Sequence, residues 1–324
     1  MHSLKRMGLI FRLMFDKKNR SVNSNESKFK SIKKFNITNP VTYDLKKIGL
    51  IDKERISLFH NKTRDGNYNS LIDDYSGVIF LEENSINTKH YEDSLEAIFD
   101  EYFKKHGYFK DDLRRFMSIR GDVEKSKYVL DVGSEWGGFL KLAKESVKKI
   151  EGVELNQAAV DYVEKNIAVK VHKDIEFLEE MPDLVTMFHV LEHLPNQIDF
   201  LKTLYKKMKP GGKIVIEVPH ANNFLLKEIF LPEFRDFILW NEHLVLHTEQ
   251  SLDSIIQSAG FINSTILHIQ RYGFLNHFGW FVDKKPNGHV RYASRYNEEL
   301  DKAYCNSLEK NKTSDTLFCI ASKP

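Results

Sequence analysis

The segment Asp131-Val132-Gly133-Ser134-Glu135-Trp136-Gly137-Gly138 combines two carboxylates with glycines in the pattern G-x-x-x-G-G. Glycine permits positive φ and lets a ligand approach the backbone with no Cβ in the way. Glu154 and Asp174 follow at later strand ends. A carboxylate only accepts hydrogen bonds, so Glu154 suits a ribose diol, and Asp174 can reach an adenine edge with Ile175 on the ring face. Together these groups predict an adenosine-containing ligand. A dinucleotide would favour G-x-G-x-x-G, which brings helix amides onto a pyrophosphate. Here Asp131 and Glu135 would repel a pyrophosphate and suit the ammonium of an amino-acid tail. S-adenosylmethionine (SAM) has that tail, a ribose and an adenine, and no phosphate. The chemistry selects SAM over NAD.

Such residues need a scaffold that ends strand after strand at one edge. Strand signals over Tyr128–Gly133, Ile150–Glu154, Ala168–His172, Asp183–Phe188 and Lys213–Val218 alternate with helical patterns. One helix face carries Phe139, Leu140, Ala143, Val147 and Ile150; further helices span Ala158–Asn166 and Gln197–Met208. That alternation predicts an α/β fold, a parallel sheet with helices on both faces. Ser264–Gln270 and Thr316–Ala321 read as later strands without a crossover helix of the earlier kind. Upstream, Leu95, Ile98, Phe99, Tyr102 and Phe103 recur at helical spacing within Tyr91–Phe116. Ser76–Leu81 belongs to a small β-rich unit over residues 41–90.

The 324 residues, 41% hydrophobic and 29% charged, fit one large or two modest globular domains. No uncharged apolar run approaches the roughly 18 residues that span a bilayer, and no secretory cleavage pattern follows the basic start. A cytoplasmic protein is expected. Cys305 and Cys319, the two cysteines, make neither a disulfide framework nor a cysteine zinc site. Residues 1–35 hold ten Lys/Arg against two acids while the whole chain is only +2, so the body is acidic. That argues against nucleic-acid binding. The leader reads as a solvated, poorly ordered terminus; a peripheral membrane or partner contact through Leu4, Met7, Leu9, Ile10, Phe11 and Leu13 is the alternative.

From about Tyr128 to Phe261 the sequence resembles class I SAM-dependent methyltransferases, with a plausible tail to the C-terminus. Asp131–Leu140 resembles their motif I, Val153-Glu154-Leu155-Asn156 the ribose-binding motif, Phe188–Leu194 the motif after the fourth strand, and Met208–Pro219 the approach to the fifth. The resemblance implies a Rossmann-like sheet of order 3-2-1-4-5-7-6 with its last strand antiparallel. It also implies cofactor contacts from Asp131, Gly133, Ser134, Glu135, Trp136, Gly137, Glu154, Leu155, Asp174, Ile175 and His189, with S-adenosylhomocysteine as product. Glu135 stands where the family often has glycine. A narrower set, Glu242-His243-Leu244, Thr248–Leu252, Ala259–Phe261, Gln270–His277 and Lys285–His289, is similar to bacterial methyltransferases of nucleotide-linked or polymer-bound sugars. Relatives there often begin with a cysteine zinc module, of which residues 59–81 would be a cysteine-less version. The implied organisation is a basic leader at 1–40, a small β/α module at 41–116, and a methyltransferase domain at 117–324. A substrate-side insertion at about 272–314, a non-helical connection, would stand over the cofactor.

A sulfonium methyl is already activated, but a sugar hydroxyl is a poor nucleophile and calls for a general base. Eight of 13 histidines lie between 189 and 289. The resemblance places several around one cleft, with His243 or His193 as base and Glu192 as orienter. His220, Asn222, Tyr272, Asn276 and His277 are substrate-side candidates; Trp136 and Phe188 are candidates to cover the cofactor. Phe224, Phe230, Phe234, Phe237 and Trp240 read equally as a lid or a buried helix. His189-x-x-Glu192-His193 has ligand-like spacing, and some related methyltransferases hold a divalent ion with Glu-x-x-Glu-His here. Histidine in the first position and the lack of further ligands lead us to expect no metal. Other acceptors (a lipid, a quinone, a ketosugar carbon) and a non-catalytic SAM-binding subunit remain the rival readings.

Overall fold

The computed structural model describes residues 35–83 and 101–324, and within it Asn36–Pro324 form one compact unit. The chain enters through α1 (Val41–Lys47) and then lays down β1 (Ile56–His60), β2 (Ser70–Asp73) and β3 (Ile79–Leu81). These three pair antiparallel, and β9 (Val245–Leu246) joins β3 as the fourth strand. The small sheet is therefore completed from far down the chain. The boundary expected at 116/117 falls inside a helix, Lys110–Lys125.

The larger sheet contains β4 (Tyr128–Val132), β5 (Lys149–Val153), β6 (Val171–His172), β7 (Leu184–Phe188), β8 (Lys213–Pro219), β10 (Ile262–Ile269) and β11 (Thr316–Ser322). Its order is β10-β11-β8-β7-β4-β5-β6, with β4 to β8 parallel and β11 antiparallel to both neighbours. This is the expected Rossmann-like arrangement. All residues of β4 and β7 are buried, which explains why they read as unbroken apolar runs rather than alternating ones.

Helices α2 (Glu101–His106) and α3 (Lys110–Lys125) precede β4. The single helix expected over Tyr91–Phe116 is interrupted, because Gly107 takes φ +73° and the Asp112 carboxylate accepts from the Phe109 amide at 2.8 Å to start a new helix. Leu95, Ile98 and Phe99 lie outside the described residues, as does the leader to residue 34. α3 packs Phe116, Ile119 and Val123 onto Val129, Leu184, Val215 and Phe318 of the sheet. α4 (Gly138–Ala143) and α5 (Gln157–Asn166) bury Leu140, Val160 and Val163 beside β6. α6 (Gln197–Lys207), α7 (Pro232–Ile238) and α8 (Glu249–Ser258) follow.

Three expectations need correction. The third strand keeps only Val171–His172, since Ala168 turns through φ +55°. The 224–240 stretch is no single helix: a π turn (Phe224–Glu228) ends before Phe230 at φ +56°, and α7 starts at Pro232. The connection from Tyr272 to Asp315 is helical, made of α9 (Phe274–Asp283), α10 (Gly288–Arg291) and α11 (Glu298–Lys310). Because β10 runs in the same sense as β8, this connection leaves from the carboxyl edge of the sheet, where the ligand loops also sit.

Asn39, 1% exposed, fastens the small sheet: its Nδ2 donates to Leu81 O at 3.0 Å and Leu244 O at 2.8 Å. Asn39→Ala is expected to lower unfolding stability by about 1–3 kcal/mol through the loss of both buried hydrogen bonds, Leu244 O keeping the one from the Leu81 amide. Chemical denaturation measures this, and an unchanged midpoint would show that water replaces the amide.

Candidate active site

Side chains alternate along each strand, so the register puts Asp131, Thr186, Phe188, Val215 and Glu217 on the face covered by α3. Asp131 is 3% exposed and its Oδ1 accepts from Thr186 Oγ1 at 2.6 Å. Burial pushes its carboxyl up to about 7, against the pull of that hydrogen bond. The loop beyond it turns on Gly133 and Gly137, both at φ +73°. A Cβ at Gly133 would run into Val190, and one at Gly137 would lie 2.6 Å from Ile167 Cδ1. Both glycines are thus required by backbone and by space.

Glu135 also has positive φ, +43°, and its amide donates to Glu154 Oε2 at 2.9 Å. The other oxygen of Glu154 accepts from the Asn156 amide at 2.8 Å, so the carboxylate is aimed across the loop. Although Glu135 is exposed by area, desolvation raises its carboxyl above the ordinary range, with Asp112 and Glu154 adding and Arg115 opposing. Ser134 Oγ is buried without a hydrogen-bond partner among the described residues. Trp136 packs edge-on to Tyr162. Asp174 caps the turn Ile175–Phe177 through the Glu176 amide; Ile175 is buried and Leu155 exposed. A bare loop, an unsatisfied hydroxyl and an acceptor-only carboxylate aimed across them fit an adenosine ligand with an amino-acid tail.

A second group of charges was not singled out in the sequence. Glu217, fully buried in β8, accepts from Arg114 Nη2 at 2.7 Å and Arg115 Nε at 2.9 Å. Burial opposes its ionisation, but Arg115 and His189 hold it well below the usual carboxylate range. Arg271, just beyond β10, donates through Nε to Asp111 at 3.0 Å and through Nη1 toward His189 Nε2 at 2.6 Å. Asp315 accepts from the Arg271 and Tyr272 amides. A glutamate inside the apolar run Ile214–Val218 was the available signal, since a buried charge demands counter-charges.

His189, expected at the cofactor, is held in this network. Nδ1 lies 3.0 Å from Glu192 Oε1, and Nε2 lies 3.2 Å from Glu217 Oε1 as well as beside Arg271. With a proton on Nε2 it donates to Glu217; without one it accepts from Arg271. Burial and Arg271 pull its pKa down, but the two carboxylates outweigh them and raise it. Phe188 is not a cofactor cover: it is buried against Phe139 and Phe318, with Arg115 over its ring.

Glu192 joins the histidines. It is fully buried, and the hydrogen bond and charge of His189, with His193 adding, hold it down to about 2 despite desolvation. His193 Nδ1 donates to Glu242 O at 2.9 Å, and its ring centre is 5.0 Å from that of His243. Burial, then the charge of His193, lowers His243 well below an ordinary histidine. His243 Nδ1, Glu192 Oε2 and Trp240 Nε1 are buried with no hydrogen-bond partner among the described residues. One ligand-capable atom from each of Glu192, His193 and His243 lies within 4.8 Å of the others. Two imidazoles and a carboxylate so placed can take the proton of a hydroxyl, and they are also donor types that hold divalent ions.

The remaining substrate candidates are not gathered there. His220 is buried, bonded to Ser314 O at 3.0 Å and lowered to about 3 by desolvation; its ring faces His268. Asn222 borders a polar groove with Ser76, Thr248 and Glu249. His277, lowered to about 3 by burial, bonds Tyr304, and Asn276 is buried beside His289. Only Tyr272, 42% exposed beside Arg271, adjoins the charged network.

The methyltransferase-domain family matches residues 101–265, just over half of the sequence, and the chain belongs to that family. It is a SAM-dependent methyltransferase. A demethylmenaquinone methyltransferase from Lactococcus lactis subsp. lactis is similar at 23% identity over 245 residues, 65% of this chain and 92% of that protein. A ubiquinone biosynthesis O-methyltransferase from Coxiella burnetii is similar at 34% over 110 residues, but this is 30% of this chain and only 46% of that protein. Among solved structures, a SAM-dependent methyltransferase from Archaeoglobus fulgidus is similar at 23% identity with a TM-score of 0.46, covering 69% of this chain and 100% of that one. No helix among the described residues is long and apolar enough to cross a membrane.

Asp131 yields a prediction about the ligand-free protein. Its folded pKa lies above the unfolded value, so its favourable contribution is complete below about pH 4 and is lost as pH rises through about 7. Asp131→Asn can keep the Thr186 hydrogen bond without the buried charge. Its melting temperature is expected to exceed the parent's at pH 8 and to match it near pH 4; a gain independent of pH would refute this account.

Proposed function

We propose that this enzyme transfers the methyl group of SAM to a hydroxyl of a small organic acceptor held at Glu192, His193 and His243. The observation that carries this reading is the pairing of a buried, unprotonated imidazole, His243, having an unsatisfied Nδ1, with an ionised carboxylate that has an unsatisfied oxygen. What SAM supplies when bound is an activated methyl carbon. The chain need only orient the acceptor, exclude water and take one proton.

Asp131 and Glu135 would meet the ammonium of the amino-acid tail, Glu154 the ribose diol, and Ile175 the adenine face. His243 Nδ1 would receive the hydroxyl proton, and the negative charge of Glu192 would stabilise the imidazolium formed. His193, turned by its bond to Glu242 O, would hold the acceptor oxygen from the other side. The O-methyltransferase named for ubiquinone biosynthesis supports oxygen as the accepting atom and a small molecule as acceptor. A sugar hydroxyl is the narrower version, supported by the resemblance in Glu242–Leu244 and its following segments.

Asp131→Asn and Glu154→Ala are expected to lose SAM affinity by calorimetry, the first even though it stabilises the free protein. His243→Ala is expected to retain SAM affinity while turnover falls roughly 10²–10⁴-fold. Labelled transfer to nucleotide sugars and to phenolic quinone precursors measures turnover and sorts the acceptor. Full activity in His243→Ala would remove the base assignment, and SAM binding without transfer to any acceptor would favour a non-catalytic subunit.

A further inference from the structure

Two cations beside the small sheet make no ion pair among the described residues. Lys227, in the π turn, and Arg235, in α7, are half-buried. The Arg235 guanidinium lies 4.4 Å from the ring centre of Phe59 and 4.7 Å from that of Phe230, while Lys227 Nζ is 5.8 Å from Phe59. Arg235 Nε donates to Leu226 O at 3.2 Å. Among the described residues neither cation has a carboxylate within ion-pair distance, although their neighbours His60 and Lys62 share Asp236. Desolvation lowers both pKa values, and Arg235 further lowers that of Lys227 while the charge of Asp74 opposes, so two like charges are confined together at a cost. Phe230 is 58% exposed with φ +56°, a conformation unfavourable for a bulky residue, and it presents its ring to Arg235. Strain that displays an aromatic beside unpaired cations indicates a ligand-binding place rather than a packing device.

The patch leads toward the histidines. α7 touches edge strand β1 through Arg235 on Phe59 and Asp236 on His60, and the next residue, Phe237, has its ring 4.4 Å from the guanidinium of Arg64. Arg64 in turn lies 4.8 Å from Trp240, whose ring is 5.0 Å from His243. We propose that Lys227 and Arg235, flanked by Phe59 and Phe230, bind a phosphate ester at the far end of the acceptor whose hydroxyl reaches His243. Two adjacent cations match the charge of a phosphate or diphosphate, and the flanking rings match a base or an acyl stem. The connection to His243 rests on the function proposed above; the anion site itself does not. A nucleoside diphosphate and a phospholipid headgroup both carry this chemistry.

The full chain is titrated with uridine diphosphate by calorimetry and, separately, with phosphatidylcholine vesicles containing phosphatidylglycerol. Binding of either is expected, and Lys227→Gln/Arg235→Gln should weaken it at least tenfold. SAM affinity should stay unchanged in that variant, which also reports that it folds. Response to the nucleotide alone assigns the ester to a nucleoside diphosphate, and response to the vesicles alone assigns it to a lipid headgroup. Phe59→Leu/Phe230→Leu should weaken the responding probe and leave inorganic phosphate binding unaltered. No binding of either probe by the parent chain, or equal binding by the double glutamine variant, overturns the site. If binding depends on Lys227 and Arg235 while His243→Ala keeps full turnover, the anion site stands and its link to the acceptor falls.

Discussion

Glu217 is a carboxylate with no exposed surface in the middle of a parallel strand, and such a group is tolerable only when cations are brought to it. Two come from the first turns of α3, as Arg114 and Arg115, and a histidine comes from the loop after β7. Arg271 adds its charge from the start of the β10–β11 connection and is itself held by Asp111 of α3. Desolvating one carboxylate therefore fixes a helix, a loop and an insertion relative to the carboxyl edge of the sheet. Removing one member of such a set costs far more than the pair's net worth, because the remaining charge stays buried. The arrangement costs stability but specifies where α3 begins, and with it the position of Asp112 against Gly138 in the cofactor loop.

Burial alone does not decide what a carboxylate does here. Asp131 and Glu192 are both almost wholly enclosed, yet one is raised to about 7 and the other lowered to about 2. Asp131 has a single hydroxyl donor and acidic neighbours, so desolvation wins. Glu192 has the hydrogen bond and charge of His189 beside it, with His193 adding, and these outweigh the same penalty. The fold thus keeps a desolvated acid in the glycine loop and an anion stabilised by neighbouring imidazoles beside His243. Environment separates the two roles, as it does wherever paired acids work at one pH.

Much of the sheet was legible because its strands are enclosed on both faces and so appear as short apolar runs between turns. The cofactor loop was legible for a different reason: Gly133 and Gly137 are required by positive φ within a few residues of the strand they end. Long-range partners were not. Nothing local marks Arg114 or Arg271 as belonging to Glu217. The helices between Tyr272 and Asp315 were missed for reasons their caps make plain. α9 is apolar on most sides, and its first amide, Phe274, donates to Asp301, far along the chain. α11 has a proper Asn297 cap and a short apolar stripe (Leu300, Ala303, Tyr304 and Leu308), but of these only Leu308 is buried.

The acceptor side shows why a motif search stops short of it. His243 sits in a segment held from two directions. From one, the Leu244 amide donates to Glu192 O, and Glu242 O accepts from His193. From the other, Leu244 O accepts from Leu81 and Asn39, Asp65 accepts from the Asn241 amide, and Arg64 bonds Phe237 O while covering Trp240. The small sheet is therefore part of the machinery that aims His243, whatever boundary the chain's organisation is given. A catalytic imidazole misplaced by an ångström loses most of its effect. The position of His243, the base in the function we propose, is set jointly by a loop after β7 and a turn before β2. On that proposal, acceptor preference can change through residues between β1 and β2, such as Arg64, without any change in the glycine loop after β4.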